Sequence, residues 1–259
     1  MRSNFLRLPI SSFMLVAFVL GCLNELEQPF DLNLYGYAYF PLEVGKFRVY
    51  EVDSLQFDIG VNDLPTVDSA RFYVREEVVE ILQAQTGEEV YRIERYRADD
   101  LDEPWKIMDV TTESLTTNQA HRTENNLRFI NLVFPIEEGV VWDGNQFIPD
   151  DIVVFVAGES VEMFKNWRYE ILSEGLSESI GQHTFESVAT VQQANDENEI
   201  EFRFSQEKYA ENVGLVYRER WILDSYCKYT GETGPCIGLD WRSKSGRGFI
   251  MREAIIDFN

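Results

Sequence analysis

A mainly β, antiparallel fold is predicted: one strongly twisted or half-barrel sheet with at most one or two short helices. Three observations carry this prediction. Apolar and polar residues alternate with period two, without a fault in Glu199-Ile200-Glu201-Phe202-Arg203-Phe204 and nearly so in Leu215-Val216-Tyr217-Arg218-Glu219-Arg220-Trp221. Aromatic residues make up 14 % of the chain, and large flat side chains suit a pleated surface. Turn residues recur at short intervals, so neighbouring strands are expected to pair as antiparallel hairpins.

In chain order, strands are expected at Lys46–Asp53, Ala70–Leu82, Glu89–Arg97, Leu127–Phe134, Trp167–Ser173, Phe185–Gln192, the two alternating runs above, and Phe249–Phe258. Thr86-Gly87, Asp143-Gly144-Asn145, Gly181 and Asp196-Glu197-Asn198 punctuate them, and Gly246-Arg247-Gly248 reads as a further hairpin turn. The alternation places Ile200, Phe202 and Phe204 on one face, and Leu215, Tyr217 and Trp221 on another. Helical signals are few. Ser205 is placed to cap a short turn through Lys208 and Tyr209, ending near Asn212 and Gly214, and Ser160–Lys165 is a second candidate. Neither is long enough for a βαβ crossover, which argues against a parallel sheet.

The chain opens with a targeting segment. Arg2 and Arg7 precede a short apolar run, Phe13 to Leu20, and no acid occurs before Glu25. A bilayer-spanning helix needs about 20 apolar residues, so this run suits a signal peptide better than an anchor helix. Val19-Leu20-Gly21-Cys22 resembles the lipobox of bacterial lipoproteins, with Leu20 where a small residue is usual. Residues 1–21 are thus read as a signal peptide and Cys22 as the lipid-attachment residue. Residues 22–36 follow as a tether, and 37–259 as a single β-rich domain. An ordinary signal peptide with a cysteine nearby is the competing reading. Acyl chains anchor because each buried CH₂ adds ~0.8 kcal/mol.

Within the domain, Phe40-Pro41-Leu42-Glu43-Val44-Gly45 is echoed by Phe134-Pro135-Ile136-Glu137-Glu138-Gly139. Proline fixes φ and gives up a donor at a strand entry, and glycine permits a bulge or turn. The echo raises two related half-sheets starting near 40 and 134, with chance similarity as the alternative.

The formal charge of the 259-residue chain is −22, and loss of Arg2 and Arg7 with residues 1–21 takes it to −24. Such a surface repels nucleic-acid phosphates and anionic lipid, so neither is expected as a partner; the membrane is reached through the N-terminal lipid alone. Once Cys22 is acylated, Cys227 and Cys236 remain as an even pair in an oxidising compartment. Gly231, Gly234 and Pro235 let the chain turn between them, so a disulfide is expected. Closing that loop contributes about 2.7 kcal/mol in the chain-entropy account. A metal pair lacks a nearby histidine and has the wrong spacing for zinc.

Motifs that carry chemistry are scarce. His121 and His183 are the only histidines, with no HExxH or HxH around either. Gly175-Leu176-Ser177-Glu178-Ser179 lacks the second glycine of a nucleophile elbow, and Ser205-Gln206-Glu207-Lys208 fits SxxK without its companion elements. No phosphate-binding glycine loop is present, so no cofactor is expected. The acids of Asp99-Asp100-Leu101-Asp102-Glu103 and Asp196-Glu197-Asn198-Glu199 lack the EF-hand spacing and read as solvated loops; no metal ligand is assigned. Paired carboxylates for glycoside hydrolysis stay open, because the deciding quantity is their separation in space. Trp105, Trp142 and Trp241 are candidates for sugar stacking or for packing, and Trp221 for the core.

The segments YFPLEVGKFRVYEVDS (39–54), LVFPIEEGVVWDGNQF (132–147) and TFESVATVQQANDENEIEFRFSQEKYAENVGLVYRE (184–219) together resemble a family of uncharacterised outer-envelope lipoproteins of Bacteroidota. The resemblance implies a mostly β, lipid-anchored domain at the outer membrane and supplies no catalytic or binding residue. CKYTGETGPC (227–236) lies outside the shared pattern. The functional expectation is a non-enzymatic envelope protein that binds a protein, glycan or small-molecule partner or serves structurally, one version being a curved sheet around an apolar ligand. The rival is a carboxylate-dependent hydrolase or glycan-binding protein. A large apolar cavity would favour the first; two carboxylates across an aromatic-lined cleft would favour the second.

Overall fold

The computed structural model describes residues 35–60, 65–149, 152–156 and 158–259. The lipobox, Cys22 and most of the tether lie outside the described residues. Fourteen strands are described: β1 (Phe47–Ile59), β2 (Pro65–Gln83), β3 (Glu89–Ala98), β4 (Lys106–Leu115), β5 (Gln119–Glu124), β6 (Leu127–Val133), β7 (Val141–Trp142), β8 (Val154–Val156), β9 (Glu159–Val161), β10 (Tyr169–Ile180), β11 (His183–Glu197), β12 (Glu201–Ala210), β13 (Gly214–Ser225) and β14 (Ser245–Phe258). Two one-turn helices, α1 (Cys227–Thr230) and α2 (Trp241–Lys244), complete the set.

Twelve strands form one antiparallel sheet in the order β6-β5-β4-β3-β2-β1-β14-β13-β12-β11-β10-β7. Two runs of sequential hairpins meet where β1 pairs with β14, and the hairpin β8–β9 stands apart. Local chemistry explains the tight turns. Asn125 and Asn126, at φ 50° and 63°, make a two-residue turn between β5 and β6, a left-handed pair that matches strand twist.

The sheet curls until its ends touch. The Ile130 N–H of β6 donates to the Gly144 carbonyl just after β7 at 2.9 Å, and the Trp142 indole N–H donates to the Ile130 carbonyl at 2.8 Å. The result is a nearly closed barrel, which leaves few edge groups unpaired. At one end, residues 35–42 cross the strands. Tyr39 and Phe40 are buried there, the Asn212 N–H donates to the Ala38 carbonyl at 2.7 Å, and Phe40 packs on Tyr209.

Several expectations are corrected. Ser205–Tyr209 is extended as part of β12, not a helical turn, and the Ser160–Lys165 candidate begins inside β9. Gly246-Arg247-Gly248 is not a hairpin turn but the start of β14; Gly248, at φ 110°, sits so close to β13 that a Cβ would lie 1.9 Å from the Ile222 carbonyl oxygen. The true β13–β14 connection runs over 226–244. There Cys227 and Cys236 form a disulfide with Cα atoms 6.3 Å apart, and the chain after Ile237 runs into α2.

The alternation holds over 201–208 and 217–221, with its polarity reversed; a bulge at Lys208 and Tyr209 breaks it, so Leu215 pairs with Tyr209 in the core and does not share a face with Tyr217 and Trp221. Phe202, Phe204, Tyr217 and Trp221 face outward and are only partly buried, whereas Arg203, Ser205, Glu207 and Arg218 point inward and are buried. Trp221, Leu223 and Ile250 are covered instead by Trp241 from the 226–244 connection, which packs on the outer face. Elsewhere that face carries exposed ion pairs, such as Arg71–Asp53 at 2.7 Å.

Candidate functional site

The barrel interior is built from charge. Antiparallel register places Arg48 opposite Glu76, Glu76 opposite Arg95, Arg95 opposite Asp109 and Glu113 opposite Arg122, all on the inner face of β1 to β5. Across the lumen, β12, β13 and β14 contribute Glu207, Arg218 and Glu253 in the same way. Arg95 Nε lies 2.9 Å from Glu76, Arg122 Nη1 donates to Glu113 at 2.6 Å, and Arg122 also bonds Glu76 and Glu124. Arg218 donates to Glu207 at 2.7 Å and Glu253 at 3.1 Å, and lies 3.6 Å from Glu124, which joins the two halves. Asn131 and the Tyr209 hydroxyl complete the shell around Glu207.

Electrostatics decides what these carboxylates can do. Burial alone pushes Glu76 up, but the guanidiniums of Arg122, Arg95 and Arg48 reverse this and hold it far below the usual carboxylate range. Glu124 and Glu207 are depressed for the same reason, Glu207 chiefly by Arg218 and Arg220. A general acid at neutral pH needs a carboxyl shifted the other way. Asp109 is so shifted, by burial, with Arg95 at 3.1 Å pulling back. Ion pairs around Glu76, Glu124 and Glu207 thus plug the lumen, and ligand space is found near the barrel surface.

Two such spaces stand out. The first is the barrel mouth opposite residues 35–42. Inward positions Gln56, Phe72, Arg97, Phe249 and Met251 line a cavity of about 500 Å³, with Phe155 of the β8–β9 hairpin over it. Phe155 is 73 % exposed, and the Arg97 guanidinium sits 3.9 Å from the Phe72 ring centroid. The Arg247–Glu159 ion pair at 3.0 Å ties the hairpin to β14. The second is a polar cleft of about 550 Å³ at the seam, between the turn after β7 and the segment after β9.

The sequence-derived candidates are scattered. Ser205 points inward to Gln193 while Lys208 points outward to Glu178, so the SxxK string spans opposite faces of β12. Gly175–Ser179 lies within β10. His121 is buried on β5 against Phe147 and Arg128, and burial together with the Arg128 charge lowers its affinity for protons. His183, on β11, bonds the Ile256 carbonyl instead. Trp142 bonds across the seam and Trp241 donates to Glu197 at 2.7 Å, so both pack within the fold. Among the described residues, no group of three or more His, Cys, Asp or Glu side chains is placed to hold a metal.

Sequence reasoning missed both spaces and the plug. The one legible trace of the plug is the recurrence of Arg and Glu at alternate positions within strands, as in Arg218 and Arg220 or Arg122 and Glu124.

No family model and no curated protein matches the chain. Two solved structures are similar at 10 % identity. One is a candidate lipoprotein from Parabacteroides distasonis, with a TM-score of 0.33, covering 85 % of this chain and 98 % of that one. The other is a candidate exported protein with a YmcC-like fold from Bacteroides fragilis, with a TM-score of 0.36 and the same two coverages.

Proposed function

We propose that this chain is a lipid-anchored lipoprotein of the cell envelope, held at the outer membrane through Cys22, whose barrel is a non-enzymatic binding module for an apolar ligand. The observation that carries the reading is the mouth: Phe155 stands exposed over a cavity whose apolar wall is Phe72, Phe249 and Met251, with Gln56, Asp68 and Arg97 among its polar residues. Exposing a large aromatic to water is unfavourable, and barrel mouths are frequent ligand sites. The plug supports the non-enzymatic part, because Glu76, Glu124 and Glu207 are held ionised by arginine.

The test is titration of the mature domain with the apolar fluorophore N-phenyl-1-naphthylamine. Saturable binding, weakened at least tenfold by Phe155→Ser or Met251→Gln with an unchanged melting temperature, is expected. Absence of saturable binding would remove the ligand reading. For the anchor, Cys22→Ala is expected to abolish radiolabelled palmitate incorporation; label that survives the change refutes lipidation at Cys22. Hydrolysis of a glycan or ester panel that one Asp or Glu substitution abolishes would overturn the non-enzymatic assignment.

A further inference from the structure

The polar cleft at the seam has a composition unlike the mouth. Asp143, Asn145 and Gln146, from the turn after β7, face Glu162, Phe164 and Trp167, from the segment after β9. We propose that this cleft is a binding site for a neutral saccharide, independent of the apolar mouth.

The side chains present are those that recognise hydroxyl groups. A sugar hydroxyl both donates and accepts; the Gln146 amide offers a donor and an acceptor, Asn166, whose Nδ2 also donates to Asp196, offers its Oδ1, and Asp143 and Glu162 add acceptors. Phe164 and Trp167, edge-on to each other at 5.2 Å, supply the aromatic part of the lining. A few polar groups above an aromatic surface is the usual make-up of a small-molecule site, and the volume suits a short oligosaccharide.

Asn145 adds an independent observation. It is only 9 % exposed, and its Oδ1 accepts from the Tyr169 hydroxyl at 3.0 Å. Its Nδ2 has no hydrogen-bond partner among the described residues. A buried donor left unmet is costly, and native structures normally supply it with a partner. Nδ2 is itself shut off from solvent, so a ligand oxygen would reach it only if the Asn145 side chain turned toward the cleft.

Charge selects the class. Asp143 and Glu162 would repel an anion, as would the chain's net charge of −22. Lys165 is 3.6 Å from Glu162 and 4.0 Å from Glu201, so its charge is already balanced. An uncharged, hydroxyl-rich molecule meets the lining without a desolvated charge of its own.

The experiment is saturation-transfer-difference NMR, followed by calorimetric titration, of the mature domain with neutral gluco-, manno-, xylo- and chito-tetraoses. Binding of at least one is expected, with Gln146→Ala and Glu162→Gln each weakening it tenfold or more while the melting temperature holds. Both residues sit at the surface end of the cleft, so loss of fold is not the expected result. Phe155→Ser in the mouth should leave saccharide binding unchanged, which separates this site from the apolar one. No saturable binding of any of the four, or binding that both cleft variants leave intact, overturns the proposal.

Discussion

The Arg218 guanidinium donates to Glu207 at 2.7 Å across neighbouring strands, and the two residues are only 2 % and 0 % exposed. The pair is held inside because each partner has further company: Glu253 and Glu124 for Arg218, and Arg220, Asn131 and Tyr209 for Glu207. Burying two charges is repaid only when the remaining donors and acceptors are also met.

Arg218→Met is accordingly expected to destabilise the domain by about 3–5 kcal/mol, because Glu207 and Glu253 are left buried beside fewer cations. Arg218→Lys should recover little, since one ammonium cannot reach three carboxylates that a fork of nitrogens reaches. Urea unfolding monitored by tryptophan fluorescence measures both, and a loss under 1 kcal/mol for Met would contradict the plug.

The plug also sets a pH dependence. Glu76, Glu124 and Glu207 have folded values below their unfolded ones. Their contribution is fully present above the unfolded carboxylate value of about 4.3, falls as pH drops below it, and is gone only past the depressed folded values. Stability should therefore decline steadily with acidification below about pH 4. Arg122→Met should flatten that decline, because the cation nearest Glu76 and Glu124 is gone. Chemical denaturation at a series of pH values checks the slope.

Gly248→Ala is expected to cost at least about 2 kcal/mol or to prevent folding. Its φ of 110° disfavours any side chain, and the added carbon would collide with the Ile222 carbonyl. Gly87→Ala, at φ 83° with open space around it, is the comparison that isolates the collision from the backbone strain.

Reducing the Cys227–Cys236 bridge is expected to cost no more than the ~2.7 kcal/mol loop-closure value and to loosen 226–244 without opening the barrel. That segment covers the outer face near Trp221 and Ile250 with Trp241 and bonds Asp224 through Lys228 and Tyr229, while the sheet is held by its ladders. Hydrogen exchange before and after reduction should show faster exchange confined to this segment. Global loss of protection would contradict the assignment.

The amino-acid sequence by itself determined most of the long antiparallel strands, the hairpin turns near 86–87, 181 and 196–198, and the short reach of any helix, because these follow from local periodicity and turn chemistry. It did not reveal β4 and β5. Their inward residues are Asp109, Thr111 and Glu113, and Arg122 and Glu124, so no apolar alternation marks them. Nor could period two say which face of β12 and β13 lies inside. That was decided by curvature, which turned the charged faces inward and added contacts between strands that are not neighbours, Arg48–Glu113, Arg95–Glu253, Arg122–Glu76 and Arg218–Glu124, to the pairs that register sets. The mouth and the seam cleft have the same origin, since each assembles residues far apart in the chain. Pairing across such distances is a property of the closed barrel, and no single strand carries it.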